Sequence, residues 1–253
     1  MTSHALGDTA VLTGRSLRHI LRSPDTIITT AVTPIALMLL FTYVFGGAID
    51  VGSASYIDYM LPGILLITIA SGIAYTAYRL FLDMQGGIFE RFQSMPIARS
   101  SVLWAHVLTS LVAILVSIVV VIGVALLMGF RTGASFAVWL AVIGILVLFT
   151  LALTWVAVIA GLSAKTVDGA SAFSYPLIFL PFISSAFVPT DSMPAPVAWF
   201  AENQPVTSIV DTMRALFSGQ PVGTDIWVAL AWLVGILIVA YAVAVSIYRR
   251  KMR

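Results

Sequence analysis

Side chains able to do covalent or redox chemistry are few in this 253-residue chain, and they are far apart in sequence. There is no cysteine, which removes a thiol nucleophile, a disulfide frame and a thiolate metal site, and leaves the redox compartment unspecified. The histidines, His4, His19 and His106, are scattered, and no spacing of Ser, His and Asp suggests a nucleophile elbow or a metal site. Lys165 and Lys251 are the only lysines, neither follows a glycine-rich turn, and no G-x-x-x-x-G-K-[ST] occurs, so a phosphate loop of that kind is absent. An enzymatic site is not expected. The chemistry left is recognition, and it concentrates in Asp83–Ser101, DMQGGIFERFQSMPIARSS. Gly86-Gly87 breaks the preceding helix; Ile88, Phe89, Phe92 and Met95 then recur at helical spacing; Glu90 and Arg91 sit between them, and Pro96 ends the turn. A short helix of this kind has an apolar stripe that its own loop cannot bury. The stripe reads either as a docking surface or as an interfacial helix resting in lipid headgroups.

The elements around this stretch belong to a membrane protein. The chain is 60% hydrophobic and only 9% charged, with mean hydropathy +1.05, whereas a soluble domain is about 25% charged. Six uncharged runs, at Thr26–Ile49, Tyr59–Tyr78, Ser100–Phe130, Thr132–Ala164, Gly169–Thr190 and Ile226–Tyr248, are each long enough for one crossing of about 30 Å of hydrocarbon. The first run is too long and starts too late for a secretory leader. No carboxylate lies inside a run, which argues against an ion relay at mid-membrane. Pro34, Pro62, Pro176 and Pro181 fall inside or at the ends of runs and read as kinks, whether hinges or packing features.

Charge placement sets the expected orientation. With the N-terminus inside, eleven Lys and Arg fall on inner segments and only Arg131 and Arg214 on outer ones. Both termini are then cytoplasmic. Asp8–Arg22 reads as an amphipathic helix carrying Arg15, Arg18 and Arg22 on one face, either lying on an anionic leaflet or serving as a positive flank. In the outer segment Asp191–Asp225, Pro205 suits a first helical position with Asn203 or Gln204 as cap. Val206, Ile209, Val210, Met213 and Phe217 form its apolar stripe, Asp211 and Arg214 are placed to pair on the wetter side, and Gly219 is a stop. This helix is expected to dip into or lie on the outer leaflet, after a short helix at Val197–Glu202.

The layout resembles the ABC-2 type permeases, specifically the daunorubicin-resistance-type drug or lipid exporter branch. Three stretches carry the resemblance. Gly87-Ile88-Phe89-Glu90-Arg91-Phe92 with Met95-Pro96-Ile97-Ala98-Arg99 looks like the family's cytoplasmic coupling segment. Tyr59-Met60-Leu61-Pro62-Gly63 looks like its second-span entrance. Ser184–Pro189, Met193-Pro194, Asn203–Thr207 and Arg214-Ala215-Leu216 look like its fifth-span exit and outer helices, with Gln204 standing where Asn is expected before the proline.

The resemblance implies a single all-α transmembrane domain over residues 1–253 with six transmembrane helices. Residues 1–24 would be an N-terminal amphipathic helix, 83–101 the coupling loop between spans 2 and 3, and 191–225 short outer helices between spans 5 and 6. It implies a multi-pass plasma-membrane permease that pairs as a homodimer or heterodimer with a second permease, is surrounded by lipid and binds no nucleic acid. Two cytoplasmic ATPase subunits would hold the ATP and Mg, with no cofactor in this chain. Gly87, Ile88, Phe89, Glu90, Arg91, Phe92, Met95 and Pro96 would receive the ATPase. Tyr59, Thr68, Ser71, Tyr75, Phe173, Tyr175 and Phe179 would be candidate pathway residues, their other reading being ordinary helix packing. Such uncharged aromatic and hydroxyl groups suit a bulky amphipathic or lipidic cargo. The competing readings are a lipid-linked glycan exporter, a membrane anchor or assembly factor, and a secondary carrier.

Phe92→Ala or Glu90→Arg is expected to leave membrane insertion intact and to lower substrate-stimulated ATP hydrolysis in the reconstituted complex. Full stimulation in both variants would remove the docking role from this helix.

Overall fold

The computed structural model describes residues 24–47, 49, 55–86 and 99–251. The expected N-terminal helix, Asp8–Arg22, and the coupling residues Gly87 to Pro96 lie outside the described residues. Those that are described form helices and connecting turns, with no strand among them. In chain order they are α1 (Pro24–Leu40), which continues as a π-helix over Phe41–Phe45, α2 (Tyr56–Gln85), α3 (Arg99–Leu127) and α4 (Phe136–Ser163). There follow α5 (Val167–Ala172), α6 (Ser174–Phe179), a 3-10 turn at Leu180–Ile183, α7 (Ala195–Asn203), α8 (Pro205–Ser218) and α9 (Asp225–Lys251).

Four of these helices are long and apolar enough to cross a membrane: α2, α3 from Leu103, α4 and α9. The first and fifth uncharged runs behave differently. The first gives a 17-residue α-helix with Pro34 inside it, running on into the π-helix. The fifth is not one helix. It breaks at Phe173, resumes as α6, and tightens into the 3-10 turn containing Pro181. Proline removes an amide donor and crowds the preceding turn, so a segment with Pro176 and Pro181 five residues apart cannot keep an uninterrupted ladder.

The bundle is organised around α2. It packs against α1, α3, α4, α5, α6 and α8, and 83% of its apolar window is buried, against 28%, 39% and 22% for α3, α4 and α9. It is also the least hydropathic of the four. That ordering is the one a lipid solvent demands: the greasiest helices face outward, and the helix with more polar content sits inside among protein neighbours. Close approach is achieved through small residues. A Cβ added at Gly161 of α4 would lie 2.8 Å from the Ala77 carbonyl oxygen of α2, so only glycine lets the two backbones meet there. Several hydroxyls inside the helices are spent on their own backbones. Thr68, Thr76, Thr150 and Thr154 each donate to the carbonyl four residues earlier.

A second apolar cluster brings together Leu80, Leu103, Val107, Trp155, Leu162, Ala244 and Tyr248. Trp104, Trp155 and Tyr241 meet beside it, with centroids 4.8 Å to 6.1 Å apart and two of the three pairs edge-to-face, the geometry the ring quadrupoles prefer.

The outer helices match the expected residues closely and their expected setting poorly. Helix α7 covers Val197–Glu202 with little overhang, and α8 starts at Pro205 and stops at Gly219, whose φ of 69° is left-handed. Gln204 is the cap, its Oε1 accepting from the Val206 amide at 3.2 Å. Helix α8 does not lie free on the leaflet, however. It is folded back against α9, α2 and α4, and Val206, Ile209, Val210, Met213 and Phe217 are buried in the main core. An apolar stripe with helices within reach is better packed by shaped side chains than by mobile lipid tails.

Candidate functional site

The break in the fifth run leaves backbone groups without helical partners. Water does not reach the interior of a bilayer, so such groups must be satisfied by protein. Here the work is done by side chains from α2, from the α7–α8 region and from Ser184 of the segment itself. The Pro181 carbonyl accepts from Ser184 Oγ at 2.6 Å, and the Ile183 carbonyl accepts from Gln204 Nε2 at 3.1 Å. The Ser185 carbonyl accepts from Arg214 Nη2 at 2.7 Å, and the Phe187 carbonyl accepts from the Tyr56 hydroxyl at 3.1 Å. The Ser185 amide donates to Thr207 Oγ1 at 3.4 Å, and the Ala186 amide to Ser184 Oγ at 3.1 Å. Thr207 in turn donates to the Ala201 carbonyl, closing α7 onto α8.

Arg214 is the centre of this network. Its Nη1 lies 2.6 Å from Asp211 Oδ1, its Nε donates to the Tyr59 carbonyl at 3.2 Å, and its guanidinium carbon sits 3.7 Å above the Tyr59 ring. Ser185 Oγ donates to the same Asp211 oxygen at 2.7 Å. One side chain thus ties α8 to the start of α2 and to the exit of the fifth segment, using the rigid donor fork and the flat face that lysine lacks. Burial pushes the Asp211 carboxyl above the ordinary aspartate range, and the Ser185 hydroxyl and the Arg214 charge pull it back only in part.

Two of the three motif stretches, residues 59–63 and the run from Ser184 to Leu216, therefore converge at one place. Gly63 adds a steric reason: a Cβ there would lie 2.6 Å from that of Ala186, so the Pro62-Gly63 pair lets the fifth-segment exit rest directly on α2. Beside this contact Phe187 stacks against both Phe41 and Phe182, with centroids 4.8 Å and 4.9 Å away, joining the π-helix of the first run to the same exit. Nothing in the sequence pattern of Phe41 or Tyr56 signals these roles; their partners are 131 or more residues away in the chain.

The remaining pathway candidates are dispersed. Tyr59 is half-buried beneath Arg214, and Thr68 is fully buried and bonded to the Ile64 carbonyl. Ser71 and Phe173 are half-buried. Tyr75 is exposed with its ring against Tyr78, and Tyr175 and Phe179 are each 61% exposed. Among the described residues no group of three His, Asp or Glu could hold a metal ion.

The described residues thus form an all-helical apolar bundle around a buried central helix, with four helices long and apolar enough to cross a membrane. The chain belongs to the ABC-2 type transporter family, whose sequence profile matches residues 8–218. It is 26% identical over 232 residues to the daunorubicin resistance ABC transporter permease protein DrrB1 of Streptomyces coeruleorubidus, covering 90% of this chain and 81% of that one. It is 29% identical over 250 residues to the probable doxorubicin resistance ABC transporter permease protein DrrC of Mycobacterium tuberculosis, strain CDC 1551 / Oshkosh, covering 97% and 89%. Permeases of this family are transport subunits rather than catalysts and function with a cytoplasmic ABC ATPase.

Arg214→Ala leaves Asp211 and two carbonyls short of a donor and is expected to destabilise the purified protein by about 2–3 kcal/mol. Thermal unfolding in detergent would show this as a lower Tm, with Arg214→Lys losing less because it keeps the charge but not the fork. An unchanged Tm in both variants would remove the network's structural role.

Proposed function

We propose that this chain is the membrane subunit of an ATP-driven exporter that moves a drug-like amphipathic compound, or a lipid of similar character, across the plasma membrane. The observation that carries this reading is the family match over most of the chain together with the two drug-resistance relatives. Energy comes from two copies of a separate ATPase that bind ATP and Mg, seated on Gly87, Ile88, Phe89, Glu90, Arg91, Phe92, Met95 and Pro96. A second permease, either another copy or a related chain, completes the path.

On this reading the chain crosses six times. The first crossing is α1 with its π-helical extension, 17 and 5 residues long, which at about 1.5 Å per residue is enough for the hydrocarbon. The fifth is the interrupted run from α5 to Pro189. Irregular backbone at membrane depth is tolerated where it is buried in protein or lines a cavity, and discontinuous helices of this kind border the path in other transporters. Tyr59, Thr68, Ser71, Tyr75, Phe173, Tyr175 and Phe179 border the route on α2 and the fifth segment. Cargo with aromatic and apolar surface suits them, because five of the seven carry rings and Thr68 spends its hydroxyl on its own backbone.

Doxorubicin serves as a probe of transport. Proteoliposomes holding this chain with its cognate ATPase are expected to accumulate it on addition of ATP, and proteoliposomes holding this chain alone are not. Accumulation driven by an ion gradient without the ATPase would overturn the reading.

The absence of cysteine makes the topology directly testable. In intact cells a membrane-impermeant maleimide is expected to label Gln220→Cys, and to label Lys165→Cys only after permeabilisation. The reverse pattern would refute the orientation.

A further inference from the structure

The two helices that flank the coupling segment are joined by a polar contact that the network of the outer half does not explain. His106 Nε2 lies 3.1 Å from Asp83 Oδ2. The side chains are 16% and 31% exposed, so the pair is largely shielded. Asp83 is in the last turn of α2, and His106 lies two turns into α3. They bracket residues 87–98 in the chain.

Asp83 is not well placed for the benefit of its own helix. A carboxylate in a last turn meets the negative end of the helix dipole, which disfavours it. A closer partner is also available: Arg79 is one turn earlier on the same helix, at the spacing for an intrahelical pair. The Arg79 guanidinium instead lies over the Tyr75 ring, 5.8 Å from its centroid, and Asp83 reaches across to α3. Around the pair, Leu80 and Leu103 are buried in the second apolar cluster with Trp104 and Met84 packed against it, so the contact is set in a packed inner layer.

We propose that Asp83 and His106 are positioning residues that fasten the base of the coupling segment, making α2 and α3 respond as one body when the ATPase moves it. The inference rests on the docking role proposed for residues 87–96 and extends it to how force enters the bundle. A loop pushed by a partner can tilt either helix alone and dissipate the stroke. A link between the two helix ends closes that route. Because α2 is the central helix and its other end carries the Arg214 network, displacement of a joined α2–α3 pair reaches the fifth-segment exit through packed protein.

The experiment measures doxorubicin transported per ATP hydrolysed by the reconstituted complex. Asp83→Ala and His106→Ala are each expected to lower that ratio about fivefold, the lower end of common coupling energies, while membrane insertion and basal ATP hydrolysis stay within about twofold. The exchanged pair, Asp83→His with His106→Asp, is expected to recover most of the ratio. A purely structural role predicts instead that transport and hydrolysis fall together with the amount of inserted protein, and that outcome overturns the proposal, as does an unchanged ratio in both single variants. Phe92→Ala, measured in parallel, separates the two ideas. If it uncouples while the Asp83 and His106 variants do not, the fastening role alone fails. If it has no effect while they uncouple, the docking role fails and the α2–α3 link stands by itself.

Discussion

A helix that breaks among apolar neighbours must find protein partners for the amides and carbonyls it frees, and the packing around residues 181–187 is arranged around that requirement. Pro176 and Pro181 interrupt the fifth run, and the groups released at Pro181, Ile183, Ser185 and Phe187 are taken up by Ser184, Gln204, Arg214 and Tyr56. Those donors come from three parts of the chain, so meeting the requirement also fixes where α8 folds and how α2 begins. The Arg214 guanidinium is suited to the central position because its donors diverge in one plane and its face can rest on Tyr59.

The two arginines that depart from the inside bias become intelligible in the same terms. Arg214 is occupied in the network just described. Arg131 donates to the Leu126 and Phe130 carbonyls at the end of α3, both at 2.8 Å, where a cation meets the negative end of the helix dipole. Each of the two positive charges is held by backbone acceptors at short range.

The arrangement also suggests a division of labour along α2. One end leads to the residues proposed above to receive the ATPase; the other lies under Arg214 beside the interrupted fifth run. A buried, relatively polar helix with protein on most sides can shift as a unit, whereas the lipid-facing α3, α4 and α9 move against a fluid that offers little shape resistance.

Much of this molecule could be read from composition and spacing. Long uncharged runs need no tertiary partner to declare themselves, because a bilayer selects for length and apolarity alone. The α8 boundaries, the Gln204 cap, the Gly219 stop and the Asp211–Arg214 pair are local effects of neighbouring residues, and they stand where spacing puts them. What spacing could not decide was the surroundings of each face. The stripe of Val206, Ile209, Val210, Met213 and Phe217 is equally satisfied by lipid or by helices, and its burial against α9, α2 and α4 depends on which neighbours fold within reach. The bonds of Tyr56 to Phe187, of Arg214 to Ser185 and of Asp83 to His106 belong in the same category. They join residues distant in the chain, and periodicity along one segment holds no information about which other segment completes a hydrogen bond.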